Sequence, residues 1–404
     1  MEFYKEMDFQ KTEIGKIPKE WECVKIGDPE YSILLTGGTP STKKKEYWNG
    51  TVPWMASGDI HQKYIKDVPG KISKEGLNNS AAKYIPINSV LVALNGQGKT
   101  KGTVAINLIE LTCNQSIAAY DLNKDEFNPF FIFHYLTSQY IELRSMASNN
   151  DRAGLNLRLL RSVIAPKPSL AEQIQISSIL SRIDVAIQKT EEIIQKTQLL
   201  KKGLMQELLT KGIGHTEFKY SEKLGCEIPK EWTEKELGNI VDIKNGQRPS
   251  IIGEGSIPVY GANGIMGYTS ACIIESDLII LIGRVGASGE VNYTKGKAWV
   301  SDNAFYTSRF NREEVNPLFI YYLLKFKQLS RYAKKSTHPI ISLSFLRSFP
   351  LEVPSLEEQE KIASILSKVD DQIEKERQTK KELEKLKKGL MQILLTGKVR
   401  VKVN

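Results

Sequence analysis

The sequence predicts an α+β protein: two mixed α/β domains separated by two long antiparallel α-helices forming a coiled coil, the chain being an internal pseudo-two-fold repeat. Three observations predict this. PSLAEQIQISSILSRID (Pro168 to Asp184) returns 186 positions later as PSLEEQEKIASILSKVD (Pro354 to Asp370). At the same offset, LKKGLMQELLT (Leu200 to Thr210) returns as LKKGLMQILLT (Leu386 to Thr396). IPKEW stands at Ile17 to Trp21 and at Ile228 to Trp232, before two stretches that match each other only loosely. Self-similarity of this kind sets the architecture before any local propensity is weighed. It divides the chain into a variable domain 1–167, a helical unit 168–212, a second variable domain 213–353 and a second helical unit 354–404.

The helical units carry their own start signals. Pro168 and Pro354 set the entry, and Ser169 and Ser355 are natural N-caps. Glu172 and Glu358, three residues on, complete the pattern of a capping box. Ile176, Ile179, Leu180, Ile183 and Ile187, like Ile362, Ile365, Leu366, Val369 and Ile373, recur at helical spacing. No proline interrupts either run, so each spans about 40 residues and roughly 60 Å. An apolar stripe of that length needs a partner, and the matching copy in the same chain can supply it antiparallel; pairing between chains is the alternative.

Each variable domain reads as short strands followed by a helix. Val90 to Gly96 and Gly102 to Asn107 look like strands around a glycine-rich turn. Pro129 and Pro317 each open an aromatic-rich helix whose rings suit a core. Weak correspondences link the two domains. Gly37-Gly38-Thr39-Pro40-Ser41 answers Gly246-Gln247-Arg248-Pro249-Ser250, and Asn128-Pro129 answers Asn316-Pro317.

Composition narrows the function classes. The 404 residues, 41% of them hydrophobic, suit two or three globular domains, and the net charge of +9 suits a polyanionic partner. Cys23, Cys113, Cys226 and Cys272 are isolated, so neither a zinc ribbon nor a redox pair is expected, and no metal site. Free thiols fit a reducing, cytoplasmic setting. The first residues carry no signal peptide pattern, and no apolar run reaches the length of a membrane span.

Two catalytic leads fail on context. Ala93 to Thr100 (ALNGQGKT) approximates a phosphate loop, but a strand rather than a helix is expected after it. Asn128-Pro129-Phe130-Phe131 resembles half of an adenine-methyltransferase motif without its second proline. No catalytic residue and no cofactor-binding residue is therefore expected in this chain.

The polar, glycine-rich loops are instead candidates for DNA contact, because Asn and Gln can read adenine, Arg and Lys can read guanine, and small residues let backbone approach phosphate. In the first domain they are Thr39, Ser41, Lys43, Lys44, Lys45, Gln97, Lys99, Lys101, Asn114, Gln115, Arg152, Asn156 and Arg158. In the second they are Gln247, Arg248, Ser250, Asn263, Arg284, Ser288 and His338.

With IPKEW before each domain, P-S-L-x-E-Q and I-x-x-I-L-S-x-x-D opening each helix, and L-K-K-G-L-M-Q-x-L-L-T closing it, the chain resembles the specificity subunit of Type I restriction-modification enzymes over nearly its whole length. The resemblance implies two target recognition domains, each reading one half of a bipartite asymmetric site on double-stranded DNA, and helices that set the spacer. It implies two methylation subunits, which bind S-adenosylmethionine, and two restriction subunits, which use ATP and Mg, as partners. The exposed helix faces, including Glu191, Lys196, Gln198, Lys201, Glu376, Lys380, Glu382 and Lys387, are where methylation subunits would dock. The rival readings are the specificity subunit of a Type II methylating enzyme, a self-contained DNA methyltransferase, and a coiled-coil scaffold that binds no DNA.

Overall fold

The computed structural model describes residues 2–96, 98–147, 154–248, 253, 255–333 and 340–402. It divides into two compact units, Met1–Thr190 with Thr379–Asn404, and Glu191–Gln378. Each unit therefore holds one variable domain, part of the first long helix, Leu170–Leu208, and part of the second, Leu356–Leu394.

At the centre of the first unit is a five-stranded sheet. Its order is Ser32–Thr36, Ile117–Leu122, Val90–Ala93, Val104–Asn107 and Tyr64–Ile65, antiparallel except for the last pair. Strands such as VLVA read as unbroken apolar runs because both faces are covered. Val90, Val92 and Tyr120 face the core shared with the helix Pro129–Ser138, while Leu91, Ala93 and Ala119 face a second cluster around Met55 and Ile60. A smaller sheet joins Thr112–Cys113, Trp48–Met55 and Lys71–Ile72.

The second unit repeats the central order with Val241–Asn245, Ala304–Phe310, Ile274–Gly283 and Val291–Val300. It then continues the same sheet through Ile257–Gly261, parallel to Val291–Val300, and Gly264–Thr269. The helix Pro317–Lys327 packs on it as Pro129–Ser138 packs on the first. The strands Ile164–Lys167 and Pro350–Val353 each pair with the strand after an IPKEW and lead straight into a long helix.

The recurring P-S-L-x-E-Q segment joins three separate pieces of each domain. Ser169 Oγ accepts the Glu172 N–H at 3.3 Å, and Ser355 Oγ accepts that of Glu358 at 3.4 Å, so both serines cap. The carboxylates do something other than the expected capping box. Glu172 accepts the indole N–H of Trp21 at 3.2 Å and is gripped by Arg400; Glu358 accepts that of Trp232 at 3.2 Å and is met by His215 and the Ile213 N–H. Both tryptophans are buried, so IPKEW is the plug that seats each helix start. A carboxylate buried at a helix N-terminus is favoured by the dipole and by its charged partner.

The neighbouring glutamines complete the joint. Gln173 accepts the Asn128 N–H and donates to the carbonyls of Glu126 and Pro168. Gln359 accepts the Asn316 N–H and donates to those of Glu314 and Pro354. Asn128 and Asn316 in turn cap the aromatic helices through their side-chain oxygens.

Within each unit the two helices run antiparallel. In the first, Ile176 and Leu180 share a core with Leu394 and Leu395, and Lys387 is paired with Asp184. In the second, Leu208 and Leu209 share a core with Ile362 and Leu366, and Lys201 is paired with Asp370. The two ion pairs are the same pair one repeat apart. Tyr322 OH donates to Asp370 at 2.9 Å, but the equivalent helix position carries His134, which is too short, and Tyr64 brings the hydroxyl to Asp184 from a strand instead, at 2.9 Å. Burial, with Lys387 adding to it, pushes the His134 imidazole down to about 3 despite Asp184 at 3.9 Å, so the ring is neutral.

The end of the second helical segment departs from expectation. Val399–Val401 is a strand, antiparallel to Phe3–Lys5, and it delivers Arg400 to Glu172. No helix among the described residues is long and apolar enough to cross a membrane.

Candidate nucleic-acid interface

Strand register explains why the candidate loops gather. Thr36 pairs with Ala118, and Ala93 with Ile117, so the chain leaves Ser32–Thr36 and Val90–Ala93, and enters Ile117–Leu122, at one end of the sheet. Loops 37–45, 95–103 and 114–116 therefore open side by side. In the second unit Asn245 pairs with Phe305 and Gly283 with Ala304, which puts loops 246–248, 284–289 and 301–303 at the corresponding end.

Glycine seats the first loop in both domains. A Cβ on Gly37 would lie 1.8 Å from the Cys113 carbonyl oxygen, and one on Gly246 would lie 2.0 Å from that of Ser301. Only glycine permits so close an approach. The next N–H, from Gly38 or Gln247, donates to the Cys113 or Val300 carbonyl at 2.8 Å. Thr39 Oγ1 donates to Gln115 Oε1 at 2.7 Å, which ties the two first-domain loops together. Thr39, Ser41, Lys43, Lys44, Lys45 and Gln115 are exposed; Lys44 lies over the Tyr47 ring and donates to its hydroxyl. Asn114 is half-buried and accepts the Ser116 N–H, so it shapes the turn.

The phosphate-loop lookalike is a hairpin turn. Val90–Ala93 and Val104–Asn107 pair antiparallel across it. Arg144 donates to the carbonyls of Gly98 and Lys101, and Tyr140 OH donates to that of Lys99. Lys99 stays exposed, but Lys101 is only 7% exposed, which corrects its expected place among the open loop residues. The helix Tyr140–Met146, through Arg144, packs over the turn and covers it. Leu155 N–H bonds to the Leu94 carbonyl and brings Asn156 and Arg158 beside this turn. Asn156 is an N-cap, accepting the Leu159 N–H at 3.0 Å, and Arg158 is exposed.

In the second domain Gln247, Arg248 and Asn263 are exposed. Asn263 lines a cavity of about 240 Å³ with Tyr260, Ile265, Gly283 and Asn292. Arg284 donates to the Asp302 carbonyl and rests on the Phe305 ring, at 5.9 Å. Ser288 is 5% exposed and its hydroxyl has no partner, a second correction. Its neighbour Gly289 presses so close to Ser330 that a Cβ would lie 2.3 Å from the Ser330 nitrogen, and this draws the loop inward. Gln97, Arg152, Ser250 and His338 lie outside the described residues.

Sequence reasoning missed the tryptophans behind these loops. Trp54 donates its indole N–H to the Gly38 carbonyl at 3.0 Å, Trp48 to the Ser41 carbonyl at 3.2 Å, and Trp299 to the Gln247 carbonyl at 2.7 Å. A tryptophan reads as core material, and nothing local marks its distant acceptor.

Among the described residues no group of three His, Cys, Asp or Glu is placed to hold a metal ion. The side-chain oxygen of Asn128 is engaged as a helix cap. Each sheet end presents a polar surface built on glycine and backbone.

The model of the Type I restriction modification DNA specificity domain matches residues 18–198 and again 229–385. The chain belongs to this family of Type I specificity subunits. Two relatives from Methanocaldococcus jannaschii align over its full length. The MjaVIII specificity subunit is 27% identical over 98% of its own length, and the putative MjaX specificity subunit is 30% identical over 99%. The EcoprrI specificity subunit of Escherichia coli is 29% identical over 83% of this chain and 85% of its own. The fold is that of the Type I S subunit from M. genitalium, with a TM-score of 0.67 at 18% identity over 95% of this chain and 97% of the other.

Proposed function

We propose that each variable domain reads one half of a bipartite asymmetric DNA site through the loops at its sheet end, and that this chain performs recognition without catalysis. The observation that carries the reading is the matched glycine seat: two domains of divergent sequence open the same three loops at the same end of the same sheet. Domain 1–167 is the first reader and 213–353 the second. Thr39, Ser41, Gln115, Lys43, Lys99 and Arg158 in one, with Gln247, Arg248, Asn263 and Arg284 in the other, supply the base and phosphate contacts.

The helical segments 168–212 and 354–404 set the spacer. Their helices are 39 residues each, with matching caps, and half-sites on one face of B-DNA recur about every 34–36 Å. Their exposed faces would dock two methylation subunits; Lys387, expected among them, is buried against Asp184 and does not belong to those faces. Those partners would bind S-adenosylmethionine, and two restriction subunits would use ATP and Mg, with no cofactor expected in this chain.

Replacing residues 22–167 with the corresponding domain of another family member, then sequencing the methylome of a host carrying the chain with its methylation subunit, tests the reading. One half-site is expected to change; a change in both halves would defeat the modular account. Inserting one helical turn near Lys189 is expected to lengthen the spacer.

A further inference from the structure

We infer that Trp54 and Trp299 are positioning residues for base readout, each holding the first recognition loop of its domain at the same backbone atom. This rests on the half-site reading above and adds residues to it that touch no DNA.

The argument begins with the loop's main chain. The residue after the glycine seat, Gly38 or Gln247, has its N–H fixed by the Cys113 or Val300 carbonyl. Its own carbonyl points away from that ladder and is taken by the indole of Trp54 or Trp299. With the N–H and the carbonyl of one residue both held, the peptide links on either side of it are oriented, and with them the direction in which residues 39–41, or Arg248, leave the seat.

The two indoles come from different strands. In the first domain Trp54 pairs with Thr112 across a parallel ladder. In the second, Val259 stands where Trp54 would be, and Trp299 stands opposite it, in the place of Thr112. The residue has moved to the neighbouring strand while its target carbonyl has not. An indole kept only to fill space would have no reason to meet the same acceptor from a new strand. Trp48, Trp54 and Trp299 are all half-buried at the loop edge, with Trp48 and Trp54 also packed against the small cluster of Val52, Ile72 and Ala82. In the first domain Trp48 reinforces the device, packing edge-on against Trp54 at 5.1 Å and holding the Ser41 carbonyl, so the Thr39-Pro40 turn is gripped on both sides.

Such a residue acts on discrimination. A bidentate base contact is worth about 1–3 kcal/mol against the wrong base and depends on its angle of approach, whereas a phosphate contact tolerates a shift. Trp54→Phe and Trp299→Phe keep a six-membered aromatic ring and remove the indole N–H. Each is co-expressed as the full chain with its methylation subunit, and the methylome is compared with the unmodified chain. Trp54→Phe is expected to relax sequence preference roughly tenfold in the half-site read by the first domain and to leave the other half unchanged. Trp299→Phe is expected to do the reverse, with the melting temperature of either purified variant unchanged. If the unmodified chain together with its methylation subunit yields no methylated bipartite site, the underlying half-site reading fails. A bipartite site read by both variants with unaltered fidelity overturns the positioning role alone. So does general loss of methylation together with a lowered melting temperature, which would make the indoles structural.

Discussion

The Asp184–Lys387 pair and the Asp370–Lys201 pair are one design in two surroundings. In the first, the side chains are 7% and 11% exposed, and a neutral histidine and a strand tyrosine close over them. In the second they are 34% and 20% exposed, and a helix tyrosine donates to the carboxylate. The acid and the lysine keep their places while the hydroxyl donor changes residue, element and direction. What a repeat preserves is thus the requirement of the buried charge, and any residue able to meet it serves.

Removing the acid separates the two surroundings most sharply. Asp184→Ala leaves the buried Lys387 ammonium without its carboxylate and takes an acceptor from the half-buried Tyr64 hydroxyl, and is expected to cost about 3–5 kcal/mol. Asp370→Ala, where water reaches the lysine, is expected to cost about 1–2 kcal/mol. Urea unfolding of the two variants checks the order, and equal losses would mean that burial does not distinguish the pairs.

The histidine gives the first pair a pH dependence of its own. Its folded value, near 3, lies below its ordinary one, near 6.5, so between these the unfolded chain binds the extra proton. Stability of the first unit is therefore expected to fall as the pH drops below about 6.5, by at most ~1.4 kcal/mol per pH unit from this group. His134→Gln should flatten that part of the melting-temperature profile; an unchanged slope would place the titration elsewhere.

The smallest contrast lies in the caps. Asn128 accepts one backbone N–H and Asn316 accepts two. Substitution by alanine is expected to cost about 1 kcal/mol in each, slightly more at Asn316, and thermal melting of the pair of variants decides whether the second bond counts.

The same contrast between constrained and replaceable residues explains what the sequence disclosed. The long helices were legible because their period, caps and repetition are local signals. The central strands were legible as apolar runs between glycines. The strand Val399–Val401 was hidden, since three residues have no pattern of their own and their partner lies at the other end of the chain. Lys101 and Ser288 were misread because a glycine-rich, polar stretch looks open until a helix or a neighbouring loop is seen to cover it. The capping role expected of Glu172 and Glu358 failed for a related reason: a buried tryptophan for each, with Arg400 for Glu172 and His215 for Glu358, all distant in sequence, offered the carboxylates other partners. The tryptophans behind the loops escaped notice because what matters is a single indole hydrogen pointing at a carbonyl 16 or 52 positions away.

Gln173 and Gln359 engage their domains through main-chain atoms alone. A socket that grips only peptide groups makes no demand on the identity of the side chains around it. A reader that keeps the tryptophan for Glu172 or Glu358 can therefore vary at the positions that meet the glutamines without disturbing the frame that carries it.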